Sequence, residues 1–199
     1  LPHDRVFDGS RNALQWRQQG FAFGDSASSG LRWKHGGLRV SDDAYWKDFG
    51  RPLRSFTPRL LPLDAAAEHD GSVAGLTTTA YARVQYWQVL QDADPLALIA
   101  APYHRAPQIG WRGIGRPWDS GPELSFEAEA NRFELTRSDL SQPRRPDGQR
   151  VHLLAQASHT WRGQGAWFTP RAALNLAHYR TDTPMIETIA PRVTTIGTL

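Results

Sequence analysis

The segment "LTTTAYARVQYWQVL" (76–90) alternates between two kinds of side chain over fifteen residues, and few folds have a use for such a segment. Ala80, Ala82, Val84 and Tyr86 fall on one side, and Thr79, Tyr81, Arg83 and Gln85 on the other. A period of two belongs to an extended strand, whose successive side chains point to opposite faces. Globular strands most often run about five or six residues, whereas a tilted strand crossing a bilayer needs about nine to eleven. A segment this long, with charge in mid-strand, is out of proportion to an ordinary sandwich.

The pattern recurs. In "ELSFEAEANRFEL" (123–135), Leu124, Phe126, Ala128 and Ala130 oppose Glu123, Ser125, Glu127, Glu129 and Asn131. In 151–161, Val151, Leu153, Ala155 and Ala157 oppose His152, Gln156, Ser158 and Thr160. In 168–179, Phe168, Ala172, Leu174 and Leu176 oppose Arg171, Asn175 and Tyr179. The apolar faces are light, rich in Ala and Leu, and the apolar fraction of the chain, 40%, is low for a globular protein. Both facts suit a wall whose outside need only be compatible with lipid and whose other side is wet. Strands are expected at about 11–23, 30–40, 57–69, 74–90, 106–115, 122–136, 149–161, 166–180 and 190–199.

The links between these strands alternate in length. "GDSASS" (24–29), "DGSV" (70–73), "RPWDSG" (116–121) and "GQGA" (163–166) read as short turns. The links at 41–56, 91–105, 136–149 and 181–189 are longer. An all-β, antiparallel up-and-down meander of eight or nine strands produces that rhythm, with short turns at one rim and long loops at the other. The long loops are expected outside. Trp161 and Trp167 flank one short turn and Trp118 sits in another, as aromatic residues do at membrane interfaces.

Other classes find less support. The net charge is +3 and the basic residues are 21 Arg and 2 Lys with no clustered basic motif, so nucleic acid is not an expected partner. The chain has no Cys, and its seven His are scattered without a zinc spacing, so neither a metal nor a cofactor is expected. "GDSAS" (24–28) has the opening of one lipase family, with Ser26 as nucleophile, but the downstream D-x-x-H is missing and no G-x-S-x-G occurs. No enzyme is expected. An outer-membrane lipid-A-modifying hydrolase and a soluble carbohydrate-binding β-sandwich are the rival readings. In "SDDAYWKDF" (41–49), Asp42, Asp43 and Asp48 could collect a divalent cation. The spacing is no complete calcium loop. The simpler expectation is that Ser41 and Asp42 make turn hydrogen bonds while Tyr45, Trp46 and Phe49 pin the loop to the rim.

Three stretches carry a family resemblance. "VSDDAYWKDF" (40–49) resembles the V-S-D-x-x-Y-x-x-D-F stretch of the lipopolysaccharide-assembly outer-membrane protein LptD, also called Imp or OstA. "ARVQYWQVLQDADP" (82–95) with "PYHRAPQI" (102–109) is similar to a strand of that family, its loop and the P-Y-x-R-x-P-Q segment beyond it. "EANRFE" and the run from "RVHLLAQASHTW" to "LNLAHYRTD" resemble the strands that follow. The likeness implies that residues 1–199 are a single internal segment of a large transmembrane β-barrel domain in the Gram-negative outer membrane. The periplasmic N-terminal domain and the closing strands would lie outside this sequence. It further implies transport of lipopolysaccharide to the outer leaflet through a polar lumen and a lateral gate. The implied partners are an LptE-like lipoprotein plug, the periplasmic Lpt bridge, reached through the absent N-terminal domain, and outer-membrane lipid. On that reading Arg83, Gln85, Glu127, Glu129, Asn131, Gln156, Arg171 and Asn175 face the lumen. Asp42, Asp43, Tyr45, Trp46 and Asp48 belong to a rim loop.

Overall fold

The computed structural model describes residues 10–23, 30–49, 59–135, 145–182 and 192–196, and the structural statements below concern these. The strands are β1 (Ala13–Ala22), β2 (Leu31–Val40), β3 (Leu60–Val73), β4 (Leu76–Val89), β5 (His104–Gly115), β6 (Glu123–Glu134), β7 (Gly148–Ser158), β8 (Trp161–Arg162), β9 (Trp167–Phe168), β10 (Arg171–Thr181) and β11 (Arg192–Ile196). A five-residue helix, α1 (Tyr45–Phe49), and one 3-10 turn at Pro95–Ala97 sit in the long links. Nine strands form one sheet in the order β1-β2-β3-β4-β5-β6-β7-β10-β11, and every pairing is antiparallel between consecutive long strands. The meander read from the alternation is the fold, and it leaves the sandwich alternative without the second sheet it needs.

Of the described links, the short ones at 74–75, 116–122 and 163–166 lie at one rim and the long one at 90–103 lies at the other, as expected. One boundary differs. The sequence "DGSV" (70–73) is strand rather than turn, because Gly71, Ser72 and Val73 pair with Thr78, Thr77 and Leu76. The Asp70 carboxylate, which in a turn would bond its own backbone, instead accepts from Thr79 Oγ1 at 2.7 Å and from Arg32. The turn is Ala74-Gly75, with φ of 51° and 77°. Two positive φ angles twist a two-residue hairpin in the sense the strands require. β8 and β9 form a separate two-stranded ladder. Its register, Trp161 with Phe168 and Arg162 with Trp167, continues that of Ser158 with Arg171 in the β7–β10 pair. The sequence treated 149–161 and 166–180 as unbroken strands; the break falls at 159–160 and 169–170. Across it His159 N–H donates to Pro170 C=O at 3.3 Å, and the Thr160 and Thr169 hydroxyls meet at 2.9 Å.

The register sorts side chains onto two faces. One carries Leu76, Ala80, Ala82, Val84 and Tyr86 of β4, Ile109 and Trp111 of β5, Leu124, Phe126, Ala128 and Ala130 of β6, and Val151 and Leu153 of β7. Several of these stand in the open: Ile109 is 54% exposed and Val151 55%. From Leu76 to Tyr86 this band is about 33 Å long at the rise of a strand, or about 25 Å high at a barrel tilt near 40°. That is the height of an outer-membrane apolar belt. Three rings on this face meet one another: Trp16 Nε1 donates to His35 Nδ1 at 3.2 Å, and Trp33 stacks on His35 with ring centroids 5.7 Å apart. Aromatic rings also lie across mid-strand glycines of the neighbouring strand. Phe126 covers Gly113, where an added Cβ would come within 2.5 Å of the ring. Glycine there lets a flat ring lie against bare backbone.

A compact core forms only at the long-link rim. Leu38, Val40, Leu61 and Leu90 are buried there, and Tyr45 and Trp46 pack against them. The Gln88 amide donates to Val40 C=O at 2.9 Å and accepts from Val40 N–H at 3.0 Å, bridging β4 to the end of β2.

Candidate functional site

The opposite face of the sheet is polar. Consecutive residues of a strand alternate sides, so the register carries the polar positions across from strand to strand. Arg83 and Gln85 of β4 share this face with Glu127, Glu129 and Asn131 of β6, Gln156 of β7, and Arg171 and Asn175 of β10. All eight residues singled out from the sequence therefore stand on one side. They do not form a single cluster: Glu129 and Asn131 belong to one group, Arg83 to a second and Asn175 to a third.

Glu129 is the centre of the largest group. Its Oε2 accepts from the Tyr81 hydroxyl at 2.7 Å and from Gln108 Nε2 at 2.6 Å. Its Oε1 accepts from Asn131 Nδ2 at 2.6 Å and from Arg150 at 2.9 Å. One carboxylate thus ties β4, β5, β6 and β7 together. Gly110 makes it possible: the Tyr81 ring lies across its backbone, and a Cβ at Gly110 would overlap the phenol. Arg112 sits over the other side of that ring, its guanidinium 5.9 Å from the centroid. Glu127 is directly opposite Arg112 in register.

A second group spans β2, β3 and β4. Arg83 is paired with Asp64, with Nε donating at 2.8 Å. Arg32 is paired with Asp70 and, at 3.4 Å, with Glu68, which also lies 3.8 Å from Lys34. Asn175 Oδ1 meets His152 Nε2 at 2.9 Å. Sequence reasoning missed Asp64, Asp70, Arg32, Gln108 and Arg150. Counting by twos from Arg83 across a correctly placed β3–β4 turn would have found the first two.

The rim loop has a different chemistry from the one its acidic residues suggested. The group that engages Asp42 and Asp48 is a guanidinium. Arg11, buried just before β1, makes a two-pronged pair with Asp42 at 3.0 and 2.9 Å and reaches Asp48 at 2.6 Å. It lies 5.5 Å from the Tyr45 ring centroid and 5.2 Å from that of Phe49. These carboxylates hold its pKa well above the ordinary value for arginine. In place of the expected turn bond, Ser41 ties the loop to the entry of β1: its Oγ accepts from Asn12 N–H at 3.1 Å and donates to Asp42 Oδ2 at 2.8 Å. Asp43 stands apart, its carboxyl held above the ordinary range by burial and eased by a hydrogen bond from the Gln91 backbone. Trp46 lies beneath the Arg59 guanidinium at 5.2 Å. Tyr45 and Trp46 do pin the loop to the rim core.

A long consecutive meander with one apolar and one hydrogen-bonded polar face is the construction of a β-barrel wall. Sequence comparison makes the assignment specific. The family described as LptD, LPS transport system D, matches residues 14–188, and this chain belongs to that family. It is 38% identical over 149 residues to an LPS-assembly protein LptD of Albidiferax ferrireducens, covering 74% of this chain and 17% of that protein. It is 31% identical over 192 residues to one from Paracidovorax citrulli, covering 94% of this chain and 22% of the relative. A Burkholderia thailandensis relative is 28% identical over 184 residues, 90% of this chain and 20% of its own length. The chain thus spans about a fifth of the curated relatives it matches. The family is described by transport and not by a catalysed reaction.

Proposed function

We propose that this chain is an internal segment of the barrel domain of an outer-membrane lipopolysaccharide transporter. Its apolar face meets lipid and its polar face lines the passage through which the sugars move to the outer leaflet. The observation that carries this is the two-faced register. A belt about 25 Å high backs a largely polar face, and that face carries every position from Arg83 to Asn175 named above. On this reading a lateral opening, an LptE-like plug inside the barrel and the periplasmic bridge would complete the route in the parent protein.

The chemistry of the wall suits such a cargo. A saccharide bearing phosphates would be arrested by bare guanidinium groups. Here Arg83, Arg32 and Arg150 are each matched by a carboxylate from this same face. The wall therefore offers exchangeable hydrogen bonds to hydroxyls with little net attraction for a polyanion. Glu129 is fully engaged as a fastener. The carboxylate left to repel a polyanion on this strand is Glu127.

The test uses the absence of cysteine from this segment. In the parent protein, with other cysteines blocked, single Cys would replace Ser125, Phe126, Glu127 and Ala128, and outer-membrane vesicles would be treated with a small water-soluble maleimide. Labelling at 125 and 127 with protection at 126 and 128 is expected. Labelling at all four, or the inverse pattern, would overturn the assignment of faces.

A further inference from the structure

The lipid-facing side of the sheet has two unlike edges. At the short-turn rim the outward positions are apolar: Ala22, Leu31, Val73, Leu76, Leu124 and Ala172 end their strands there. At the long-link rim three strands carry a guanidinium group at the same parity. Arg39 is the penultimate residue of β2, Arg180 the penultimate residue of β10, and Arg132 stands two residues before the end of β6. Arg180 pairs with Gln149 of β7, and Gln149 pairs with Arg132, so the three form one row across three adjacent strands. All three are exposed. At a strand spacing near 4.8 Å the two arginine Cα atoms stand about 10 Å apart.

Directly below this row the face turns apolar, with Val151 and Ala130 in the next outward positions and Leu153, Leu176 and Ala128 beyond them; only His178, beside Val151, interrupts it. From Gln149 to Trp161 along the hairpin is twelve residues, about 40 Å of strand and about 30 Å of height at a 40° tilt. Trp161 and Phe168 stack there with centroids 5.9 Å apart and stand 54% and 49% exposed. The β8–β9 ladder therefore completes an apolar band that β7 alone would leave too short. One edge of the band is aromatic and the other is cationic.

We propose that the Arg132–Gln149–Arg180 row holds the phosphate group of a membrane lipid in the leaflet at the long-link rim, with the lipid's acyl chains lying on the apolar positions beneath. Two arginines with Cα atoms about 10 Å apart have side chains long enough to converge on one phosphate or to take two neighbouring ones, and the Gln149 amide between them adds a donor. Glu134, 2.7 Å from Arg132, neutralises part of the site and leaves Arg180 as its stronger half. The lipid is a resident of the barrel's outer surface, distinct from the cargo on the polar side. The proposal rests on the reading that the apolar face meets lipid.

The full-length parent protein would be placed in phosphatidylcholine nanodiscs doped with lipid A or with phosphatidylglycerol, and the co-isolated doped lipid counted by native mass spectrometry. The double variant Arg132→Gln/Arg180→Gln should lose retention on the order of tenfold, as two basic residues at an anionic surface would give. Arg116→Gln, the same charge loss in a short turn at the opposite rim, should leave retention unchanged, and Arg132→Lys/Arg180→Lys should restore most of it. Arg180→Gln alone is the second variant should the double one fail to insert, and its retention should also fall. Loss confined to lipid A places the row in the outer leaflet; loss confined to phosphatidylglycerol places it in the inner one, and both support a phosphate site. Equal retention by an inserted Gln variant overturns the proposal. A parent protein that does not enter the disc at all would instead overturn the lipid-facing reading beneath it.

Discussion

Removing the Glu129 carboxylate should cost more than any other single change on the polar face. Four donors from Tyr81, Gln108, Asn131 and Arg150 converge on it, and its side chain is only 10% exposed. A hydrogen bond to a charged group contributes about 1.5–3 kcal/mol net. Four such bonds do not simply sum, because bringing the carboxylate out of water offsets part of the gain. Tyr81→Phe removes one donor, leaves three, and should destabilise by about 1–2 kcal/mol. Glu129→Ala strands Arg150 and three neutral donors, and should cost about 3–5 kcal/mol. In the double variant the Tyr81 hydroxyl no longer has a lost partner, so the two effects should fall short of additivity by about 1 kcal/mol. The assay is the urea midpoint of the folded full-length protein in detergent, followed by heat-modifiable electrophoresis. Gly110→Ala should lower the same midpoint, because the ring that reaches Glu129 lies across that glycine, and it should lower it less when Tyr81 is already Ala. Additive costs for Tyr81→Phe and Glu129→Ala, or a Glu129→Ala midpoint equal to the wild type's, would refute the reading of Glu129 as the fastener of four strands.

Two further outcomes follow from the rims. Arg11→Ala leaves Asp42 buried without its partner, so the rim loop should loosen by about 3 kcal/mol and be cleaved faster by protease between 41 and 49; added calcium should not restore protection. Ala74→Asn places at φ 51° a residue that tolerates the left-handed region before Gly75 and should stabilise the protein by about 0.5–1 kcal/mol, raising the urea midpoint, whereas Gly75→Ala should lower it.

The period-two pattern made the faces legible because it depends only on the geometry of an extended chain. Strand 76–90 could be sorted into its two sides residue by residue with no knowledge of its neighbours. Pairing between strands was less legible, since it depends on where each turn falls. Reading "DGSV" as a turn sets Asp64 opposite Thr79, whereas Ala74-Gly75 sets it opposite Gln85, within reach of Arg83. Asp-Gly is a strong turn signal, but here Asp70 finds Thr79 and Arg32 across the sheet. Tertiary partners outweighed the local preference. The loop went unread for the opposite reason. The cation that Asp42 and Asp48 hold is contributed by Arg11, some thirty residues earlier, and nothing local announces such a pairing. The Ser26 stretch lies outside the described residues.

Every long strand in the sheet pairs only with the strand before it and the strand after it. This bears on how such a wall is made as well as on how it stands. Loop-closure entropy grows with the chain between two partners, so the hairpins closed by short turns, β3–β4, β5–β6 and β7–β10, should zip before the long links draw them together. Growth is then by doublets, in chain order, and each completed doublet presents the next with an edge already in register. Among the described residues, each pairing joins strands that neighbour one another along the sheet-forming chain. A chain still emerging could begin its wall before its remaining strands have arrived.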